Sequence, residues 1–303
     1  MAESNCTQVA AFSLTGLTDD PVARVTLFLL FLLVCIVTVL GNLAMIALIR
    51  GPQLHTPMYY FLGNLALVDL CSSNVITPKT LADFVAEKKG IAHTGCVAQV
   101  FIFDLLGMTE CFLLATMAYD HYMAICHPLL YSVAMSPKCC LQLVMGSYLM
   151  RLTNSMGQTI SMANLSFCGS RIIDRFFCDI SPLISLLTSD TTLNSMVLRL
   201  LATLFGISSG LIVLLSYVTI ISTILSIRSA KGKHKAFSTC ASHLAVVSIF
   251  CGTSIFMYLK TSLREDKWAA VLYTMVTPML NPLIYSLRNK EVKEALRRLT
   301  KRK

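Results

Sequence analysis

Long apolar windows constrain this chain more than any other feature of its sequence. Seven windows of mostly apolar residues each have the length, about 20 residues, that a helix needs to cross a hydrocarbon core of about 30 Å. They cover residues 25–49, 57–78, 97–119, 141–163, 200–227, 236–259 and 268–287. Backbone polar groups find no water inside lipid, so such windows must be helical. The sequence therefore predicts an all-α membrane protein, a seven-transmembrane helix bundle.

The charge pattern orients this bundle. Only 14% of the residues are charged, against about a quarter in an ordinary soluble domain. With residues 1–24 outside the cell, most basic residues fall in cytoplasmic connections and the tail, as the positive-inside rule requires. They are Arg50, Lys138, Arg228, Lys231, Lys233, Lys235, Arg288, Lys290, Lys293, Arg297, Arg298, Lys301, Arg302 and Lys303. The net charge of +9 is thus expected to face membrane lipid and not nucleic acid, in a multi-pass cell-membrane protein with an extracellular N-terminus.

Two short ends flank the helical domain. Residues 1–24 form the predicted extracellular N-terminus, residues 25–288 the seven-helix domain and residues 289–303 a cytoplasmic tail. Apolar residues in the tail recur at helical spacing, which predicts a short amphipathic C-terminal helix on the inner leaflet; they are Val292, Ala295, Leu296 and Leu299. No cleavable signal peptide is evident. Asn5 begins a sequon and is the predicted glycosylation site, with Asn164 as a second candidate.

Local motifs carry a family resemblance. They are Gly-Asn at 41–42, Pro-Met-Tyr-Tyr-Phe-Leu at 57–62, Met-Ala-Tyr-Asp at 117–120, Lys-Ala-Phe-Ser-Thr-Cys-Ala-Ser-His-Leu at 235–244 and Pro-Met-Leu-Asn-Pro-Leu-Ile-Tyr-Ser-Leu-Arg-Asn at 278–289. In this order and spacing the chain resembles the olfactory (odorant) receptors, which are rhodopsin-like (class A) G-protein-coupled receptors. The resemblance implies an odorant-sized ligand held among helices 3, 5, 6 and 7. It also implies that helix 6 moves outward to admit a stimulatory G protein, which raises cyclic AMP.

The resemblance assigns a ligand-binding set in the outer half of the bundle. The set is Phe103, Asp104, Gly107, Met108, Cys111, Ala202, Phe205, Cys251, Ser254, Ile255, Tyr258 and Thr274. An apolar wall with few polar groups suits a small, mostly apolar ligand. The same residue types are ordinary packing material between membrane helices, so without the resemblance each would be interpreted as core.

The switch region departs from the family pattern. The residues implied for G-protein coupling are Asp120, His121, Tyr122, Tyr217, His243, Asn281, Pro282 and Tyr285. His121 stands where the family has arginine, and a histidine is shorter and lacks the planar fork of five donors. An alternative prediction is therefore a receptor-like protein with impaired G-protein coupling. Cys251 likewise replaces an aromatic residue expected in helix 6.

Carboxylates inside the spans are costly and mark functional candidates. Asp69 and Glu110 fall where the resemblance places a buried polar centre, and they are expected either to share a cation such as sodium (Na+) or to be protonated. Asp104 lies about 12 Å along the third span, where a pocket would begin. It either selects cationic or hydrogen-bond-donating ligands or pairs internally with Arg151 or Arg199.

The family resemblance also implies a disulfide between Cys96 and Cys178, which the oxidising exterior permits. A second family bridge would use Cys168, but its expected partner position holds Thr188, so that bridge is not expected.

Other function classes have little support in the sequence. Gly-Ile-Ser-Ser-Gly at 206–210 fits the hydrolase pattern G-x-S-x-G, but it lies inside a predicted span and not at a strand-to-helix turn. No enzyme is predicted, and no cofactor apart from the candidate sodium. A transporter or channel is the third alternative, supported only by the intramembrane charges, since inverted repeats and broken helices are not evident.

Overall fold

A computed structural model describes residues 10–51, 56–163, 171–185, 192–260, 267–288 and 292–294. The helices are α1 Pro21–Ile49, α2 Pro57–Val85, α3 His93–Cys126, α4 Tyr131–Ala134, α5 Pro137–Ala163, α6 Ile180–Ser185, α7 Thr192–Ser226, α8 Ala230–Lys260, α9 Lys267–Val271 and α10 Thr277–Arg288. A π-helical turn, Leu272–Val276, joins α9 to α10 into one continuous helix. The seven long helical units correspond one to one to the seven predicted spans.

The observed helices are longer than the predicted windows because they continue past the hydrocarbon layer. In the second span α2 continues through Pro78, where the apolar window ends, to Val85. By length and composition alone, two of the described helices are long and apolar enough to span a membrane. They are α1, with a mean hydropathy of 2.7, and α3, with a mean hydropathy of 1.8. Helix α8 is a third if its two parts, which are bent relative to each other, are counted as one span. Within α7 the same test finds a shorter apolar helix, Gly210–Ser226, among the described residues.

Helix α3 lies at the centre of the bundle and α1 at its edge. α3 packs against α2, α5, α7 and α8, whereas α1 packs mainly against α2 and α10. Half of the most apolar stretch of α3 is buried, against 17% of that of α1. Polar residues on α3 therefore meet neighbours from several helices, and most of α1 faces lipid.

A small sheet, which the sequence did not predict, lies at one end of the bundle. Strand β1, Ala11–Leu14, is central, with β2, Gly90–Ala92, antiparallel on one side and β3, Ile172–Ile173, parallel on the other. Phe12 and Leu14 are buried against the connection that follows α5. We call this the outer end of the bundle and the opposite end the inner end.

The C-terminal tail lies mostly outside the described residues. Residues 292–294 are helical, with Val292 buried and Lys293 and Glu294 exposed. This placement agrees with the apolar face predicted for the tail helix. The limits of the three predicted regions, 1–24, 25–288 and 289–303, stay predictions.

Candidate functional site

Asp104 forms an internal ion pair in the outer half of the bundle. Arg151 Nη2, on α5, donates a hydrogen bond to Asp104 Oδ2 at 2.8 Å. The Ser155 hydroxyl, one turn further along α5, donates to the same oxygen. The structure thus favours internal pairing of Asp104 and selects Arg151 as the partner, while the side chain of Arg199 lies outside the described residues.

Aromatic rings line the helix beside this pair. Phe103 packs edge-on against Phe177 at 5.4 Å between ring centroids and against Tyr273 at 5.9 Å. A Cβ atom added to Gly107 would lie 2.8 Å from Tyr273 Oη, so glycine is what lets this ring approach α3. Phe103 and Gly107 therefore belong to one aromatic wall, to which Tyr273 and Phe177 contribute although the sequence did not single them out.

For the remaining predicted ligand residues the structure gives the burial of some side chains and does not describe others. Met108, Cys111, Cys251 and Ser254 are half-buried in the outer or middle part of the bundle. Thr274 is buried, and its hydroxyl donates to the carbonyl oxygen of Ala270 at 2.8 Å. The side chains of Ala202, Phe205, Ile255 and Tyr258 lie outside the described residues.

The predicted disulfide between Cys96 and Cys178 is confirmed. Beside it, the Cys178 N–H donates to Gln99 Oε1 at 2.9 Å, and Gln99 Nε2 donates to the carbonyl of Val75 at 3.1 Å. The bridge and this amide fix the loop after α5 to the outer ends of α3 and α2. Cys168, Thr188 and both sequon asparagines, Asn5 and Asn164, lie outside the described residues.

Charges in the outer loops hold this end together. Lys89 donates a hydrogen bond to Asp19 at 3.0 Å and lowers the pKa of that exposed carboxyl. Lys267, at the start of α9, pairs with Asp174 at 2.7 Å. Burial raises the pKa of Asp179 in the same region, Arg175 opposes this, and Asp104 adds to it. Asp179 and Asp104 are therefore close enough for their charges to interact.

The inner polar centre brings together residues from three helices. Asn281 Nδ2, on α10, donates to Asp69 Oδ2 at 2.9 Å and to Glu110 Oε1 at 3.1 Å. The side-chain oxygens Asp69 Oδ1, Asn42 Oδ1 and Asn281 Oδ1 are buried without a hydrogen-bond partner. All three residues line one gap, which has no room for a water molecule.

A hard cation prefers oxygen ligands, so this donor set fits a small bare ion such as sodium. Asp69 would hold it with Asn42 and Asn281, whereas Glu110 does not line the gap. Among the described residues no group of three or more His, Cys, Asp or Glu side chains has the arrangement of a metal site. The amides, and not a second carboxylate, therefore supply the remaining oxygens of this candidate site.

The predicted switch residues meet at the inner end of the bundle. Tyr131, in the loop helix α4, donates to Asp120 Oδ1 at 2.9 Å, and burial raises the pKa of its own phenol. Tyr217 Oη and His243 Nδ1 share a hydrogen bond of 2.5 Å between α7 and α8. His121 packs its ring 5.3 Å from that of His243, and both residues are buried.

The sequence missed Tyr131 because loop helices carry no strong periodicity. Neither Asp120 nor Tyr217 bonds to His121, and the Nε2 atoms of His121 and His243 have no hydrogen-bond partner.

Three further switch residues predicted from the sequence are Tyr122, Pro282 and Tyr285. Tyr122 forms a hydrogen bond with His127 at 2.9 Å, and Tyr285 is buried with its hydroxyl unpaired. Pro282 fits against α1 where a Cβ on Gly41 would approach it to 3.1 Å, which accounts for the small residue there.

Known proteins match this chain over almost its whole length. A family model described as olfactory receptor matches residues 31–303. The chain belongs to the olfactory receptor family. Human olfactory receptor 5G3 is 53% identical to it over 100% of this chain and 98% of the relative. Chicken olfactory receptor-like protein COR4 is 52% identical, with 99% of this chain and 97% of the relative covered.

A solved structure confirms the fold of this olfactory receptor. Squid rhodopsin superposes with a TM-score of 0.68 at 18% identity, covering 91% of this chain and 85% of the rhodopsin chain. The predicted seven-transmembrane helix bundle is thus confirmed. Membership of the family makes the protein a multi-pass G-protein-coupled receptor of small molecules and not an enzyme.

Proposed function

We propose that this olfactory receptor binds a small, mostly apolar odorant in the outer half of its bundle, among α3, α7, α8 and the α9–α10 helix. It then signals through a stimulatory G protein to cyclic AMP from the cell membrane, with its N-terminus outside. The observation that carries the proposal is the family match over residues 31–303. The aromatic wall of Phe103, Phe177 and Tyr273 supports an apolar ligand, because aromatic side chains supply most of the contact area in such pockets.

The inner contacts support a mechanism by population shift. The hydrogen bond between Tyr217 and His243 and the packing of His121 on His243 join α3 and α7 to α8. Outward movement of the inner end of α8 would separate these side chains and expose a cavity to the G protein. Ligand binding in the outer half favours the open state to the extent that the ligand binds that state more tightly.

One observation favours a second candidate function, a receptor with impaired G-protein coupling. Tyr131, and not an arginine of α3, holds Asp120, and His121 is buried with its Nε2 unpaired. The test compares cyclic AMP responses of the parent with those of His121→Arg at equal surface expression. A gain in maximal response of several-fold favours impaired coupling in the parent, and equal responses favour full coupling.

The candidate sodium ion belongs to the same proposal. Three unpaired buried oxygens around one gap support it. The expected result is that the purified receptor unfolds at a higher temperature in sodium chloride than in choline chloride, and that Asp69→Asn abolishes this difference. Equal unfolding temperatures of the parent in the two salts would contradict a sodium site.

The decisive experiment is an odorant screen with a cyclic AMP reporter in cells that display the receptor on their surface. A saturable, concentration-dependent rise with at least one small apolar compound is expected. Flux of a substrate or ion without a ligand-dependent cyclic AMP signal would instead support the transporter or channel alternative.

A further inference from the structure

The two carboxylate oxygens of Asp104 have different surroundings. Oδ2 is used inside the protein, because Arg151 and Ser155 both donate to it. Oδ1 accepts no hydrogen bond from the described residues. The Asp104 side chain keeps 18% of its surface exposed, whereas that of Arg151 keeps only 1%. Part of the Asp104 side chain is therefore accessible to a ligand in the outer half, whereas the guanidinium group of Arg151 is not.

The described charges around Asp104 occur in opposite pairs. Arg151 lies 2.8 Å from Asp104, and Arg175 attracts Asp179. Among the described residues an ammonium ligand would find no carboxylate without a cation here, and the guanidinium group of Arg151 would repel it. A carboxylate ligand would be repelled by Asp104 and Asp179. The balance disfavours both kinds of ion and leaves an uncharged ligand.

The free oxygen decides which uncharged ligand fits. A carboxylate is an acceptor only, so its partner must bring an O–H or N–H donor. Arg151 Nε and Nη1 also lack hydrogen-bond partners, but both atoms are buried and cannot donate to a ligand. Phe103, the neighbour of Asp104 on α3, belongs to the aromatic wall, which suits an apolar body attached to the donor.

We propose that Asp104 Oδ1 is the hydrogen-bond acceptor for an uncharged hydroxyl ligand, an alcohol or a phenol with an apolar body. Arg151 and Ser155 are positioning residues that hold the carboxylate and cancel its charge. The inference rests on the proposed function, since it names the ligand class of that receptor. Of the two ligand kinds expected for Asp104 from the sequence, cationic and hydrogen-bond-donating, it selects an uncharged donor, and it combines this role with the internal pair.

The test uses the full-length receptor in cyclic AMP reporter cells with matched probes. These are a homologous series of short linear primary alcohols, their methyl ethers, the corresponding primary ammonium ions and the corresponding carboxylates. Alcohols are expected to act at concentrations roughly tenfold or more below those of the ethers, which lack the donor. The ammonium ions and carboxylates are expected to be weaker than the alcohols.

Two variants separate the roles of the pair. Asp104→Leu with Arg151→Leu removes both charges, a replacement that buried pairs often tolerate, and is expected to abolish the preference for alcohol over ether. Arg151→Met alone leaves the carboxylate without its cation and is expected to shift the preference towards ammonium. Surface staining of each variant checks folding, and if Arg151→Met is absent from the surface the double variant decides.

Four outcomes would overturn the inference. An ammonium preference in the parent would make Asp104 a counter-ion, and an unchanged alcohol preference in the double variant would place the donor site elsewhere. Ether responses equal to alcohol responses in the parent would overturn the inference alone, with the proposed function intact. No response of the displayed parent to any probe or odorant would overturn the proposed function and, with it, this inference.

Discussion

The outer and inner polar contacts of α3 differ in the kind of interaction that joins the helices. At the outer contact Asp104 forms an ion pair with Arg151 on α5 and accepts a second hydrogen bond from Ser155, although Arg151 Nε and Nη1 have no partner. At the inner contact the ring of His121 packs on that of His243 on α8, and both rings have an unpaired Nε2. Breaking one side of a buried ion pair is strongly destabilising, whereas two packed rings separate at a lower cost. We therefore expect α3 and α5 to stay together and α8 to be the element that moves.

Breaking the outer pair on one side should have the largest effect. Asp104→Ala leaves Arg151 buried without a counter-charge, and the free energy of unfolding is expected to fall by about 3–5 kcal/mol. Chemical denaturation of the purified receptor in detergent measures it, with the double variant Asp104→Leu and Arg151→Leu as control. A single variant no less stable than the double variant would show that the pair does not join α3 to α5.

Removing the outer disulfide should have the second largest effect. Cys96→Ser with Cys178→Ser frees the loop after α5 and is expected to lower stability by about 2–4 kcal/mol. The same denaturation assay measures the loss, with Cys71→Ser, an exposed free cysteine, as the matched control. Equal stability of the two variants would contradict an outer end that is held covalently.

The packing of α3 on the aromatic wall gives an intermediate effect. Gly107→Ala forces Tyr273 Oη to move, because the new methyl group would lie 2.8 Å from it, and the expected loss is about 1–3 kcal/mol. Tyr273→Phe removes the clashing oxygen, so Gly107→Ala should cost less in that background. A thermodynamic cycle over the four proteins measures the coupling, and additive effects would show that the two residues do not meet.

The inner contact should give the smallest loss of stability and a change in signalling. Tyr217→Phe removes one hydrogen bond to His243, and the expected loss is about 0.5–1.5 kcal/mol. Because this bond joins α7 to α8, basal cyclic AMP is expected to rise relative to surface expression. Tyr148→Phe, on α5, is the control with an unchanged inner contact. Reduced stability with unchanged basal signalling would assign the bond a structural role only.

Hydropathy alone predicted all seven spans, since the requirement for helices in lipid leaves few alternatives. It did not settle how the helices face one another, so Arg151 and Arg199 stayed equal candidates as partners for Asp104. Only the packing of α3 on α5 selects Arg151. The disulfide of Cys96 and Cys178 followed from the family resemblance and not from the spacing of cysteines.

Several features left no readable signal in a single sequence. The π turn at Leu272–Val276 changes which residues of the last span face α3, so Tyr273 reaches Gly107 although Thr274 was the predicted residue. The outer sheet joins strands separated by more than seventy residues, and its pairing depends on where the helices end. The contact between His121 and His243 likewise depends on the relative rotation of α3 and α8.

The most direct test of the account is the cyclic AMP response to a short primary alcohol in cells with and without the stimulatory Gα subunit. We expect a saturable rise at low alcohol concentration when the subunit is present, no rise when it is absent, and recovery when it is restored. A response that persists without the subunit, or none from surface-displayed receptor with any odorant, would contradict it.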